Sequence, residues 1–336
     1  MIQVVIYTAA GLQEETNRME ALLASLAQKY PHKLTIVDLS NNAFLAEAFA
    51  GKLPNLEVGQ FNFSYQVSPD ALEQALEQTQ YYLEAEKNTK IKQQMRIASE
   101  PAKFNAWNRF SLWFSKHYLH VVIGFLILVV GLAFLAPLLM EWGLPDAAQS
   151  IYKLYHPFCH QLAFRSLFLF GEQAFYPREL ANIEGLMTYG EVTGLYEEDF
   201  AAASAFLGNP EMGYKVALCQ RDMAIQSSLL LFTLIFALAR QKIKPIPIYI
   251  WFIFGFLPIA LDGGTQLLSQ LGLQGLAWLT PRESAPWQRL LTGALFGLFS
   301  AWFILPILRE SMLETRFALE KKAVLALQSK ANEGHT

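Results

Sequence analysis

The spacing of apolar residues changes along this chain, and the change divides it. Up to about residue 83, short apolar runs alternate with amphipathic stretches. Ile2 to Tyr7 reads as a strand, Glu14 to Lys29 as an amphipathic helix, Lys33 to Leu39 as a strand and Asn42 to Ala50 as a helix. Asn55 to Val58 and Gln60 to Tyr65 predict a hairpin turning at Gly59, and Pro69 to Leu83 predicts a closing helix capped by Ser68. Further on the apolar runs lengthen to what a hydrocarbon core requires, about 20 helical residues. Four spans are predicted: Tyr118 to Met140, then about Met223 to Ala239, Ile246 to Leu261 and Leu290 to Leu308.

The stretch Ala147 to Phe170 is also apolar but carries Lys153, His156, His160, Gln161 and Arg165. This predicts a helix lying on or dipping into the outer leaflet; a fifth crossing would break the pattern of basic flanks. Leu83 to Glu100, with Glu86, Lys87, Lys90, Lys92 and Arg96, reads as a solvated helical linker. Trp107, Trp113 and Phe114 read as an interfacial approach to the bilayer. The expected organisation is an α/β head over 1–82, a linker and interfacial segment over 83–116, an α-helical transmembrane domain over 117–310, and a cytoplasmic tail over 311–336.

Composition agrees with a chain partly dissolved in lipid: charged residues are 16%, and there are 25 Phe and 7 Trp. The net charge of −3 and the lack of a basic stripe with interleaved aromatics argue against a nucleic-acid partner. Basic residues fix the expected orientation. Lys103, Arg109 and Lys116 precede the first span, Arg240, Lys242 and Lys244 join the second and third, and Arg309, Arg316, Lys321 and Lys322 follow the fourth. These clusters fall on one side, which places both termini in the cytoplasm of a multi-pass protein of the inner (plasma) membrane. Residues 1–20 contain Glu14, Glu15 and Glu20 and no apolar run of signal-peptide type, so the head is expected to remain where it is made.

That topology puts the long connection after Glu141 and the shorter one after Asp262 on the outer face, and with them both cysteines. Polar groups at a membrane edge are costly to bury, so a cluster of them marks a candidate site. The candidates are His156, Cys159, His160, Cys219 and Asp222 as metal ligands, and Cys159, Cys219, Asp262 and Arg289 as catalytic groups. If Pro157 opens a helix, Cys159 lies in its first turn, where unpaired amides favour a thiolate. Cys219 stands just before the second span with Arg221 nearby. Gly263-Gly264 is expected to end regular helix beside Asp262, with Arg289 or Arg165 as the neutralising partner of that carboxylate.

The βαβαββα order of the head is the thioredoxin-like arrangement, and the head resembles small glutaredoxin-like proteins, whose first strand runs into a Tyr-Thr-x-x-Gly-Cys-x-x-Cys turn. Here the turn is Tyr7-Thr8-Ala9-Ala10-Gly11-Leu12-Gln13-Glu14-Glu15, with Leu12 and Glu15 where that family has cysteines. The redox function implied by the resemblance therefore does not carry over, since disulfide exchange needs a thiolate. Leu53-Pro54-Asn55 falls where the resemblance places a cis-proline, and Pro54 is expected to be cis. A scaffold or docking role is what remains for such a head.

The membrane body resembles a family of bacterial predicted membrane proteins of unassigned function, over about residues 150–295. The motifs that carry the resemblance are Cys159-His160-Gln161 with Arg165-Ser166, Cys219-Gln220-Arg221-Asp222, Asp262-Gly263-Gly264-Thr265-Gln266, and Glu283-Ser284 with Arg289 leading into Thr292-Gly293. Asp222 replaces a cysteine of the family's Cys-x-Arg-Cys stretch. The resemblance would imply a three-cysteine, one-histidine zinc set; Cys159, His160, Cys219 and Asp222 form a mixed set for a zinc-like divalent metal.

Three readings of the two cysteines stay open: a disulfide, metal ligands, or a redox thiol pair. Three functions stay open as well. One is a membrane enzyme or metal-handling protein with an outer-face site. The second is a non-catalytic accessory or assembly subunit whose head docks a cytoplasmic partner and whose body packs against other membrane proteins. The third is a small transporter, for which four spans are few and no inverted repeat is visible.

Overall fold

A computed structural model describes residues 2–64, 67–85, 104–271 and 280–333. The chain divides into two compact units, Met1–Lys116 with Met312–Thr336, and His117–Ser311.

In the first unit, β1 (Ile2–Thr8), α1 (Gln13–Leu26), β2 (His32–Asp38), α2 (Ala43–Ala48), β3 (Asn55–Val58), β4 (Phe61–Ser64) and α3 (Pro69–Ala85) follow the order read from the sequence. The strands form a small mixed sheet in the order β2-β1-β3-β4, with β1 parallel to β2 and the other pairs antiparallel. The Leu53-Pro54 bond is cis. The alternation of a strand decides what each face buries. Val4 and Ile6 of β1, with Leu56 and Val58 of β3, meet Met19 and Leu23 of α1 and Leu72 and Leu76 of α3. Tyr7 and Val37 take part in a separate cluster with Leu39, Leu45 and Phe49. The helical linker read over Leu83 to Glu100 falls, beyond Ala85, outside the described residues.

The second unit contains most of α4 (Ala106–Glu141), then α5 (Pro145–Tyr155), β5 (Ser166–Leu169), two short helices α6 (Tyr189–Thr193) and α7 (Phe200–Ala205), β6 (Gly208–Asn209) and β7 (Gly213–Cys219). It continues with α8 (Gln220–Leu238), α9 (Ile248–Gln270) and the first part of α10 (Pro286–Glu333). Among the described residues, α4, α8, α9 and α10 are the four helices long and apolar enough to cross a membrane. This is the build of a multi-pass membrane protein.

Three expectations are corrected here. Ala147 to Phe170 is not one helix: α5 ends at Tyr155, and the chain passes through Gln161 at φ 54 and one 3-10 turn (Ala163–Arg165) into β5. Pro157 stops the helix by having no N–H to donate, so it does not open one, and Cys159 is not in a helical first turn. Nor does Gly263-Gly264 end α9, which runs on to Gln270. A Cβ at position 263 would lie 2.9 Å from the Arg221 guanidinium, so Gly263 makes room for that side chain rather than breaking the helix. Irregularity in α9 falls earlier, in a π-helical turn over Trp251–Phe256 just before Pro258, whose missing N–H removes a helical hydrogen bond.

The connection between α4 and α8 holds a three-stranded antiparallel sheet, β5-β7-β6, that the periodicity did not reveal. Gly213 opens β7 at φ +73, where a Cβ would meet the Leu169 carbonyl at 2.0 Å, so only glycine lets the strands close. Ala133 and Ala136 of α4 are fully buried against Tyr152, Tyr155, Cys159, Val216 and Ala217. Small residues there bring α5 and β7 close to α4, and Tyr155 seals the contact by donating to the Val129 carbonyl at 2.6 Å.

The end of α10, read from sequence as a tail, belongs to the first unit. Phe317, Val324 and Leu325 pack on the cluster of Tyr7, Val37, Leu39, Leu45 and Phe49. The rings of Phe49 and Phe317 lie 5.6 Å apart, the Arg316 guanidinium sits 3.8 Å from the Phe44 ring centre, and Lys321 reaches Glu57 at 2.5 Å. Spacing of i, i+7 and i+8 is one helical stripe. It was readable, but was masked by the charged residues around it.

Candidate functional site

Chemistry gathers where α8 and α10 begin and α9 ends. Cys219 is the last residue of β7 and the N-cap of α8, so Asp222 stands at the third position of that helix. The Cys219 thiol donates to Asp222 Oδ2 at 3.0 Å, and the Cys219 N–H donates to Cys159 Sγ at 3.3 Å. The two sulfurs and one carboxylate oxygen lie within 4.8 Å of one another. Both thiols are free, which corrects the disulfide reading. Their acidities diverge. Side-chain hydrogen bonding between the two sulfurs, outweighing burial, lowers Cys159; the same interaction seen from its other end, followed by burial, raises Cys219 well above an ordinary thiol.

A buried lysine closes the floor beneath Cys159. Lys215 of β7 is fully buried, and its ammonium donates to the carbonyls of Gln161 at 2.6 Å and Ser204 at 2.7 Å. Burial pulls it down to about 7, with the Cys159 thiolate pulling the other way. Gln161 holds the loop from within, donating to the carbonyls of Tyr152 and Ala217, both at 2.9 Å. Its left-handed backbone is the bend that follows Cys159. Neither Lys215 nor Gln161 stood among the sequence candidates. Polar residues inside apolar stretches, as in Gly-Tyr-Lys-Val-Ala-Leu, were the available signal.

Next to this cluster is a network of guanidiniums and carboxylates. Asp262 accepts from Arg221 at 2.5 Å, from Arg282 at 3.0 Å and from the Ser284 hydroxyl at 2.7 Å. Glu283 accepts from Arg165 Nε at 2.9 Å and Nη2 at 3.1 Å, from Gln270 at 3.0 Å, and from Arg289. Arg178 lies 3.6 Å from the same carboxylate. Burial alone would raise the Glu283 carboxyl, but Arg289 and Arg165 hold it down at about 2. Gly293 of α10 allows the close approach that assembles this corner, since a Cβ there would meet the Arg221 carbonyl at 2.5 Å.

The expected partnership of Asp262 is therefore corrected. Arg289 and Arg165 both serve Glu283, while Arg221 and Arg282 serve Asp262. The reason is the uninterrupted α9: Asp262, Gln266 and Ser269 share its buried stripe, so the carboxylate faces the start of α8. The histidines are separated from the thiols as well. His156 and His160 are exposed and line a different cavity, so the five-residue ligand set narrows to Cys159, Cys219 and Asp222. Glu283, Arg282 and Arg221 were missed as charge partners, because sequence separation gives no hint that residue 221 meets 262.

Residues 211–303 match the family described as "Predicted membrane protein (DUF2085)"; the matched stretch contains Cys219, Asp222, Asp262, Glu283 and Arg289. The chain is also similar to the uncharacterized protein MJ1492 of the archaeon Methanocaldococcus jannaschii, at 27% identity over 201 residues, which is 58% of this chain and 94% of that one. No solved structure matches.

Proposed function

We propose that this is an integral membrane protein that binds a divalent metal ion of zinc type through Cys159, Cys219 and Asp222 at the membrane edge. One observation carries the reading: two sulfurs and a carboxylate oxygen converge within 4.8 Å. A tetrahedral zinc ion with ligands at about 2.0–2.3 Å needs its donors roughly 3–4 Å apart, and three protein ligands leave a fourth position for water or substrate. The Asp262 and Glu283 ion pairs act as the frame, tying α9 and the start of α10 to the turn that carries Cys219 and Asp222. From the basic flanks, we read the site as outer and both termini as cytoplasmic. The head is read as thioredoxin-like from its element and strand order. With its Tyr7 and Phe49 cluster covered by the end of α10, its docking role is toward this chain's own C-terminal helix.

A second reading has its own support. The opposite displacement of the two thiol acidities is the pattern of a dithiol whose lower-pKa member attacks. Elemental analysis and thiol counting on protein purified in mild detergent without chelators separates the two. Metal near one per chain, absent from Cys159→Ser and Cys219→Ser and weakened in Asp222→Asn, supports the metal reading. A metal-free chain with two titratable thiols overturns it in favour of the dithiol.

A further inference from the structure

The metal site leaves His156 and His160 without a role, and Arg165, which serves Glu283, lies beside them. They meet in one cavity of about 370 Å³, together with Ser204, Gln270 and Phe200. Among the described residues, no acidic side chain lines it. Arg165 is held from behind: Glu283 takes Nε and Nη2, and the Phe164 ring centre lies 5.6 Å from the guanidinium carbon. That one carboxylate is also shared with Arg289 and Arg178, the latter having Glu197 and Glu198 besides, so Arg165 is incompletely neutralised. A fixed guanidinium beside two imidazoles is a donor set for a multiply charged oxyanion.

The neighbouring chain is apolar and open. Leu154 is 57% exposed and Phe158 is 82% exposed, on either side of His156 in sequence. Large apolar residues bared beside a cationic pocket, on a connection between membrane-spanning helices, fit an amphiphile better than a free solute. We propose that this cavity binds a phosphate group, that of an anionic phospholipid headgroup, through Arg165, His156 and His160. The site shares no residue with the cysteine cluster, so it stands or falls separately from the metal reading.

The test is calorimetric titration of the full chain in detergent with dioctanoyl phosphatidic acid, with inorganic phosphate, and with dioctanoylglycerol as the phosphate-free control. The expected result is saturable binding of phosphatidic acid, none of dioctanoylglycerol, and at least a tenfold loss of affinity in the double variant His156→Gln/His160→Gln. Both histidines are exposed, and an unchanged melting temperature confirms that the variant is folded. Arg165→Lys, which keeps the charge but loses the fork, should weaken binding while Cys159→Ser should not. Inorganic phosphate binding as tightly as the lipid would keep the phosphate site and assign it to free phosphate. Equal affinity in wild type and double variant, or equal binding of dioctanoylglycerol, overturns the proposal.

Discussion

The head and the membrane unit place their charges differently. In the head, the Lys29–Glu73 pair has side chains 65% and 36% exposed, while the main core is built of Val4, Ile6, Leu23, Leu56, Leu72 and their neighbours. In the membrane unit, Asp262, Glu283, Arg289 and Lys215 are all buried, and the pairs Arg221–Asp262 and Arg165–Glu283 join residues 41 and 118 positions apart. The head is specified by apolar period, whereas the corner of the membrane unit is specified by partners that must all be present together. Surface pairs contribute little, but breaking a buried one leaves a stranded charge.

The largest effect should therefore come from Glu283→Ala, which strips the shared carboxylate from Arg165 and Arg289. We expect a loss of about 3–5 kcal/mol, enough to prevent recovery of folded protein. In the wild type, Glu283 sits far below its ordinary range, so its contribution is complete above about pH 4.5 and is lost as pH falls toward about 2. Thermal melting in detergent across that range checks the slope; a melt indifferent to acid would break the contrast.

Lys215 comes next, with a slope of the same sign in a higher pH window. Its folded pKa of about 7 lies below that of an unfolded lysine, so between about pH 7 and 10 the unfolded chain binds more protons and stability rises with pH. Lys215→Met should flatten that rise, at the loss of two hydrogen bonds to carbonyls. Melting temperature measured against pH in both proteins reads this directly.

In the head, Phe317→Ala should cost about 1–2 kcal/mol, since the ring is half-buried against Phe49. The expected result is faster tryptic cleavage near Arg316 and Lys321. Smallest is the pair Leu12→Cys/Glu15→Cys, at the N-cap and third position of α1. Stability should change by no more than about 0.5 kcal/mol, and mild oxidant should close a disulfide between the new thiols. Thiols that remain reduced would contradict the thioredoxin-like reading of the head.

The same contrast explains what was legible beforehand. The head's seven elements followed from runs such as Ile2 to Tyr7 and from turn residues such as Gly59, because apolar period and turn chemistry are local. Span existence was equally plain, from apolar length alone. What escaped was whatever depended on a partner distant in sequence. Gly263 was read as a helix breaker because the Arg221 side chain that occupies its space lies 42 positions earlier. His160 was grouped with Cys159 by adjacency, yet the bend at Gln161 leaves one exposed and the other buried. The convergence of Cys159, Cys219 and Asp222 was anticipated in part, since Cys219 and Asp222 share a helical turn, but the approach of Cys159 rests on β7 and α5 packing against α4.

The most direct test of the metal site is X-ray absorption at the zinc edge on protein purified without chelators. The account predicts a shell of two sulfurs at about 2.3 Å with oxygen ligands at about 2.0–2.2 Å, collapsing to one sulfur or to no zinc in Cys219→Ser. A shell of nitrogen and oxygen alone, or the absence of zinc from fully reduced protein, would contradict it.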